Sequence, residues 1–351
     1  MLSVALTFDY EIFFGKNYGT YDEILFNPTN ELLDLLDKYN VKATFFADVL
    51  SVYMCEKYGI VDYCEKFTSQ IQDMVRRGHD VQLHIHSNWL RSTYSSGEWD
   101  FDISSYRIHS FGFDPSSEWN VNFIIKWGKR YLEDSLTKVM PEYRCIAYRA
   151  GGYGVQPHGE LFKALLENGI FIDSSVALDQ FSNSVNSYDF KGFKHNVGWW
   201  VNPDDALENS ASGGERCVFE LPIGRIKNSI IRRLLTPEKE RTFSQKRLRG
   251  SYIGSLEKKP QRLSKIKLIL NYIKGSKMLT CDSVRASLIR DRLLSLSKKQ
   301  RKKNNFVSII GHPKLIDDFW LKNFDNLLSL SKKDNRYVFT TLFEIGKCLK
   351  N

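Results

Sequence analysis

Asp9 and Glu11 are carboxylates with one residue between them, so at the end of an extended strand both side chains point the same way. One can hold a metal ion while the other takes a proton from water. His84 and His86 repeat that spacing with two imidazoles, which suits a single ion at a Zn–N distance of about 2.0–2.1 Å. Arg149 precedes Ala150-Gly151-Gly152-Tyr153-Gly154, a turn in which a backbone amide can aim at an oxyanion. Beside Asp9, its guanidinium would lower the carboxylate's pKa and keep it oriented. His312, just before Pro313, is a proton donor suited to neutral pH. Together these side chains supply what metal-assisted hydrolysis requires.

Each also has an ordinary structural reading. Asp9 and Glu11 fit a solvated strand end, Arg149 a buried salt bridge, and His312 a core histidine with a satisfied ring. What favours chemistry is that every one of them closes a segment that reads as a strand.

Leu2–Phe8, Val41–Ala47, Asp80–His86, Arg144–Arg149, Ile170–Asp173, Phe219–Pro222, Phe306–Ile310 and Tyr337–Leu342 have strand character. Glu31–Lys38, Thr68–Arg77, Phe123–Met140 and His158–Asn168 read as helices, with Gly78 and Gly169 as stops. Such alternation predicts a parallel α/β architecture closed as a barrel, with strand C-termini on one face where Asp9 and His312 can meet. Trp89–Trp119 has no clear period and reads as a long loop above that face. His79 reads as a turn residue, outside the site.

With 42% hydrophobic residues the composition is that of a folded domain rather than a disordered chain. No apolar run is long enough to span a bilayer. The start, Met1–Thr7, lacks a basic segment and reads as a core strand rather than a signal peptide, so the expected location is cytoplasmic. The six cysteines show no metal-binding spacing and read as buried or incidental thiols of a reducing compartment.

Charge is unevenly distributed. Residues 225–303 carry 24 Lys and Arg against 5 Asp and Glu, a balance of 24 − 5 = +19. The remainder holds 26 basic and 36 acidic residues, or −10. The expected organisation is therefore a catalytic barrel from 1–224 and 304–351, interrupted by a basic, mostly helical insertion at 225–303. Leu263–Ile273 and Val284–Leu296 within it look amphipathic, which suits peripheral contact with an anionic membrane or glycan. Nucleic acid is not an expected partner, because the segment lacks interleaved aromatics and any recognised motif.

In order, Thr7–Glu11, Gly78–His86, Tyr148–Gly154, Asp173-Ser174-Ser175, Glu220–Gly224 and Gly311-His312-Pro313 resemble the motifs of the polysaccharide deacetylase family, the NodB-homology carbohydrate esterases. The likeness spans residues 3–345 apart from the basic segment. It implies a distorted (β/α) barrel, often seven-stranded, and one divalent metal, commonly zinc. It also implies removal of N- or O-linked acetyl groups from a carbohydrate, and the basic segment 225–303 adds the expectation that this occurs at the inner membrane face, in bacterial surface polysaccharide assembly. By the same resemblance Asp9 is the base, His312 the acid, Arg149 the partner of Asp9, and Asp173 the carboxylate that orients His312. The family's metal carboxylate usually follows the base directly; Tyr10 stands there, which moves the role to Glu11. His84 matches the first metal histidine. The second usually lies four residues on, where this chain has Asn88, so His86 is the expected ligand with Asn88 as the alternative. Tyr153, Asp173 and Trp89 are the expected substrate contacts, and Trp99, Trp119, Trp199 and Trp200 offer further stacking faces. A catalytically inactive carbohydrate-binding barrel is the alternative to an enzyme.

Overall fold

The computed structural model describes residues 1–193, 195–201, 217–243, 249–251, 275–299 and 305–350. Seven strands build the barrel. They are β1 (Leu2–Tyr10), β2 (Thr44–Asp48), β3 (Asp80–Ile85), β4 (Ala147–Ala150), β5 (Ile172–Asp173), β6 (Phe219–Glu220) and β7 (Phe306–Gly311). Each pairs in parallel with its neighbour through the order β6-β5-β4-β3-β2-β1-β7. Closure comes from a parallel bridge between Ile223, three residues beyond β6, and Ser308 of β7. The distorted barrel expected from the sequence is the observed fold.

Buried on both faces, these strands are nearly continuous apolar runs rather than alternating ones. In β1, Leu2, Val4, Ala5, Leu6 and Phe8 are all buried. A further strand, β8 (Tyr337–Thr340), pairs with the first half of β1, Leu2–Ala5, while β2 pairs with its second half, Thr7–Tyr10. The chain from Trp199 to Trp200 runs antiparallel to β6.

Helices cover the outside. α1 (Asn27–Lys38), α2 (Val61–Arg76), α3 (Val121–Leu136), α4 (Gly159–Glu167), α5 (Ala286–Lys299), α6 (Asp318–Lys332) and α7 (Leu342–Lys350) each lay an apolar stripe on the sheet. In α2 the stripe is Tyr63, Phe67, Ile71 and Met74, at helical spacing. Gly78, at φ 82°, ends that helix in the left-handed region, where His79 N donates to Met74 O at 2.9 Å. Asn120 and Asp317 cap α3 and α6 by accepting from Phe123 N and Trp320 N.

Two expectations change. Trp89–Trp119 is not one unstructured loop: it holds a short helical turn, Ser87–Arg91, a hairpin of Thr93–Ser95 with Glu98–Asp100, and a second turn, Ile108–Phe111. Packing of Trp89 and Phe101 against Phe14, with Trp99 on both Trp89 and Phe101, organises it, and elements this short leave no period to read. The basic segment, in turn, is not simply an external cover. Residues 276–278 pair with 225–227, Thr280 bridges to Ile310 of β7, and Leu279, Cys281, Leu288, Ile289, Leu293 and Leu296 are buried in the main core. The helix expected at Leu263–Ile273 lies outside the described residues.

Candidate metal and catalytic site

At the C-terminal edge of the barrel, the end of β1 delivers Asp9 and Glu11, β3 delivers His84 and His86, β4 delivers Arg149, and His312 follows β7. The strand register brings His84 level with both Asp48 and Arg149, which fixes this layer before any side chain is placed. All six are at least 85% buried.

Arg149 is fully buried and its donors are used. Nη1 donates to Asp9 Oδ1 at 2.5 Å, Nη2 to Thr7 Oγ1 at 3.0 Å and Ser174 Oγ at 2.9 Å, and Nε to Ser174 O at 2.8 Å. Its plane lies 4.2 Å from the Phe46 ring centre. One oxygen of Asp9 is thereby fixed, while Oδ2 faces His84 Nε2 at 3.9 Å and His312 Nε2 at 3.6 Å.

Glu11 Oε2, His84 Nε2 and His86 Nδ1 converge within 4.8 Å of one another. Oε2 is 2.8 Å from His84 and 3.1 Å from His86. His84 Nδ1 is 2.8 Å from the Arg149 carbonyl, so it donates there and turns Nε2 toward Glu11. His86 Nδ1 is buried yet makes no aligned hydrogen bond among the described residues. An orphaned imidazole nitrogen, a second one aimed by its carbonyl contact, and a carboxylate oxygen between them are a donor set that fits one divalent metal.

Electrostatics agree. Burial alone would push His84 down, but Asp9 and Glu11 hold it at about 9. This corner therefore draws positive charge, which a divalent ion held by Glu11, His84 and His86 would supply in place of the proton. Burial alone would raise Glu11, but Lys314 above all, then His86 and His84, keep its carboxyl well below the usual range. Gly151 keeps the corner tight: a Cβ there would fall 2.6 Å from both Ile85 O and His86 Cδ2. Asn88, the alternative ligand, is fully buried, and neither amide atom is hydrogen-bonded among the described residues. His79 accepts from Ala43 N at the turn, outside the site, as expected.

The partner of His312 is Asp282. Its Oδ2 lies 2.7 Å from His312 Nδ1 and its Oδ1 accepts from His312 N at 3.0 Å, leaving Nε2 to face the site. Burial would lower this histidine, but Asp282, Asp9 and Glu11 outweigh it and raise its pKa above the usual value. Asp173, expected in that role and as a substrate contact, is corrected: it is fully buried and accepts from Ser175 Oγ at 2.7 Å. Burial raises the carboxyl pKa of Asp173 and of neighbouring Glu220. Trp89 is likewise corrected. It is 0% exposed, and Nε1 donates to Asp48 Oδ2 at 2.7 Å, so it braces the site from behind rather than presenting a sugar-stacking face. Asp48 in turn accepts from His86 N at 3.2 Å. Tyr153 is half-buried at φ 64°, its hydroxyl 3.8 Å from Met278 Sδ, and burial with nearby Asp9 raises its pKa well above normal.

Asp282, Asp48 and Lys314 are the residues that sequence reasoning missed. Asp48 and Asp282 had the signal of Asp9, an acid closing an apolar stretch: Phe45-Phe46-Ala47-Asp48 and Met278-Leu279-Thr280-Cys281-Asp282.

Residues 3–154 match the family model described as polysaccharide deacetylase. Among solved structures, a Mycobacterium smegmatis protein assigned as a polysaccharide deacetylase superposes with a TM-score of 0.51 at 13% identity, covering 99% of this chain and 90% of that one. A Pseudomonas aeruginosa PAO1 protein assigned likewise gives 0.48 at 12% identity, covering 99% and 90%. A family 4 acetyl xylan esterase from Clostridium thermocellum, solved with a cobalt ion, gives 0.36 at 15% identity, covering 98% and 90%. The search of curated proteins returned no match.

Proposed function

We propose, on the match of residues 3–154 to the polysaccharide deacetylase model, that this chain is a metal-dependent hydrolase that removes an N- or O-linked acetyl group from a carbohydrate. The observation that carries the reading is the convergence of Glu11, His84 and His86 on one point beside Asp9 and His312. A divalent metal held by those three residues, zinc in our reading, supplies Lewis acidity toward the acetyl carbonyl. Asp9, held by Arg149, takes the proton of the attacking water through Oδ2. His312, with Nδ1 tied to Asp282, keeps its Nε2 proton directed at the leaving nitrogen or oxygen. The backbone turn at Gly151–Tyr153 is the candidate donor to the tetrahedral oxyanion. Acetate release from a panel of acetylated glycans, with and without chelator, tests the activity. No release from any glycan, with metal bound, would favour an inactive carbohydrate-binding barrel.

His84→Ala and His86→Ala should each purify without the metal that the wild type retains at about one equivalent per chain. Elemental analysis decides; full occupancy in His86→Ala would hand its position to Asn88.

The basic segment suggests where the enzyme works. Ile231, Leu234 and Leu235 are 69, 75 and 76% exposed on the short helix Ile230–Leu235, beside Arg232 and Arg233. An apolar-basic surface suits an anionic bilayer, each cation adding about 1 kcal/mol near it. α5 does not contribute, because its apolar face is already in the core. Among the described residues no helix is long and apolar enough to cross a membrane. We place the enzyme peripherally on the cytoplasmic face, acting on glycan precursors of bacterial surface polysaccharide. Flotation with anionic vesicles should recover the protein at low salt, and less at high salt or after Leu234→Glu with Leu235→Glu. Equal recovery with neutral vesicles would remove this placement.

A further inference from the structure

The two oxygens of Glu11 have different neighbours. Oε2 is the atom facing His84 Nε2 and His86 Nδ1. Oε1 is bound by Lys314 Nζ at 2.5 Å. Lys314 is itself held: Nζ also donates to Ile12 O at 3.0 Å, the ammonium sits 5.2 Å from the Phe13 ring centre, and its side chain is only 2% exposed. It belongs to the turn Pro313–Leu315 that directly follows His312, so one rigid bend places both groups. Buried lysines are rare unless paired, and this one pairs with a carboxylate of the metal donor set.

We infer that Lys314 is a positioning residue that restricts Glu11 to one-oxygen ligation through Oε2 and weakens its donor strength. The inference rests on the proposed metal site and deepens it. An ammonium on Oε1 withdraws that oxygen from the ion and draws electron density from the carboxylate. Both effects leave the metal less tightly held and more electron-poor, hence a stronger Lewis acid. Removing the ammonium should therefore move affinity and turnover in opposite directions. Simple damage to the site would lower both.

The test uses Lys314→Met and, as a more polar substitute that keeps the packing, Lys314→Gln, on the full chain. Competition for Zn²⁺ against a chromophoric chelator should show either variant binding roughly 10–100-fold more tightly than wild type, the range that outer-shell partners span. The visible spectrum of the Co²⁺-loaded variant should move toward higher coordination number, with weaker absorption, as Oε1 joins the ion. Turnover of saturated enzyme should fall. Lys314→Arg, which restores the charge, should bring affinity back toward wild type. Equal or weaker Zn²⁺ binding in folded Lys314→Met and Lys314→Gln would overturn the role of Lys314 while leaving the metal site intact. Wild type that binds no metal, with Lys314→Met that does, would also overturn it, since the ammonium and the ion would then exclude one another. If no form binds metal and His84→Ala matches wild type, the metal site itself falls.

Discussion

His312→Ala and Asp9→Asn are each expected to lower turnover by roughly 10²–10⁴-fold, the contribution of one positioned acid or base. Neither is in the metal donor set, so metal content should be kept. Asp9→Asn retains an oxygen for Arg149 Nη1, and the contacts of Nη2 to Thr7 and Ser174 are independent of Asp9. Asp282 allows a finer test through pH. In the proposed mechanism His312 must be protonated to serve the leaving group, so activity should fall as pH climbs through its pKa, which Asp282 above all the other charges holds up. Asp282→Asn removes the largest raising influence and should bring that alkaline limb to lower pH. An unmoved limb would separate Asp282 from the proton donor, and near-wild-type turnover in His312→Ala would end its assignment.

Arg149→Ala is expected to cost stability as well as activity. It leaves the buried Asp9 carboxylate without its cation, a change that typically costs about 3–5 kcal/mol, and empties the volume over Phe46. Against a total stability of roughly 5–15 kcal/mol, this is a large fraction. Denaturant midpoints at unchanged slope measure it. Adding Asp9→Asn to Arg149→Ala removes the stranded charge, so the double variant should lose less than the two single costs combined. Strict additivity would show that Arg149 acts on stability through packing alone. Where Arg149→Ala does not fold, Arg149→Lys takes its place: it keeps charge but not the three-sided contact to Asp9, Thr7 and Ser174, and should still lose most activity.

The sequence carried the strand-end residues because apolar strands stop abruptly where polar chemistry begins, and Asp9, His84, Arg149 and His312 all sit at such stops. It carried the barrel for the same reason, since buried parallel strands are short apolar runs between helices. Asp282 was obscured by its surroundings: one acid among the 24 basic residues of 225–303 reads as incidental until the bridge from Thr280 to Ile310 brings it beside His312. Lys314 was obscured by its type, because a lysine is presumed to face water unless a carboxylate is shown to meet it. Trp89 misled for the opposite reason. It lies in a polar stretch, and only the buried Asp48 facing its indole shows that it points inward. Spacing reports which side chains share a side of one strand, whereas the partner across the barrel depends on closure.

That closure has a consequence for how the chain reaches its native state. Along one edge β1 meets β7 over Ser3–Phe8, and on the other its first half meets β8, so most of the first strand's partners are made last. Thr7 Oγ1 donates to Ile309 O across 302 positions. During synthesis β1 therefore emerges with an apolar edge that stays unpaired until the strands about 300 residues further on are available. Such distant pairing slows folding and prolongs exposure to aggregation, and it places β1 among the regions that most need protection while it waits. The same wiring ties the proposed site to completion: Asp9 and Glu11 meet His312 and Lys314 only when β7 docks on β1, so no shorter intermediate carries that site assembled.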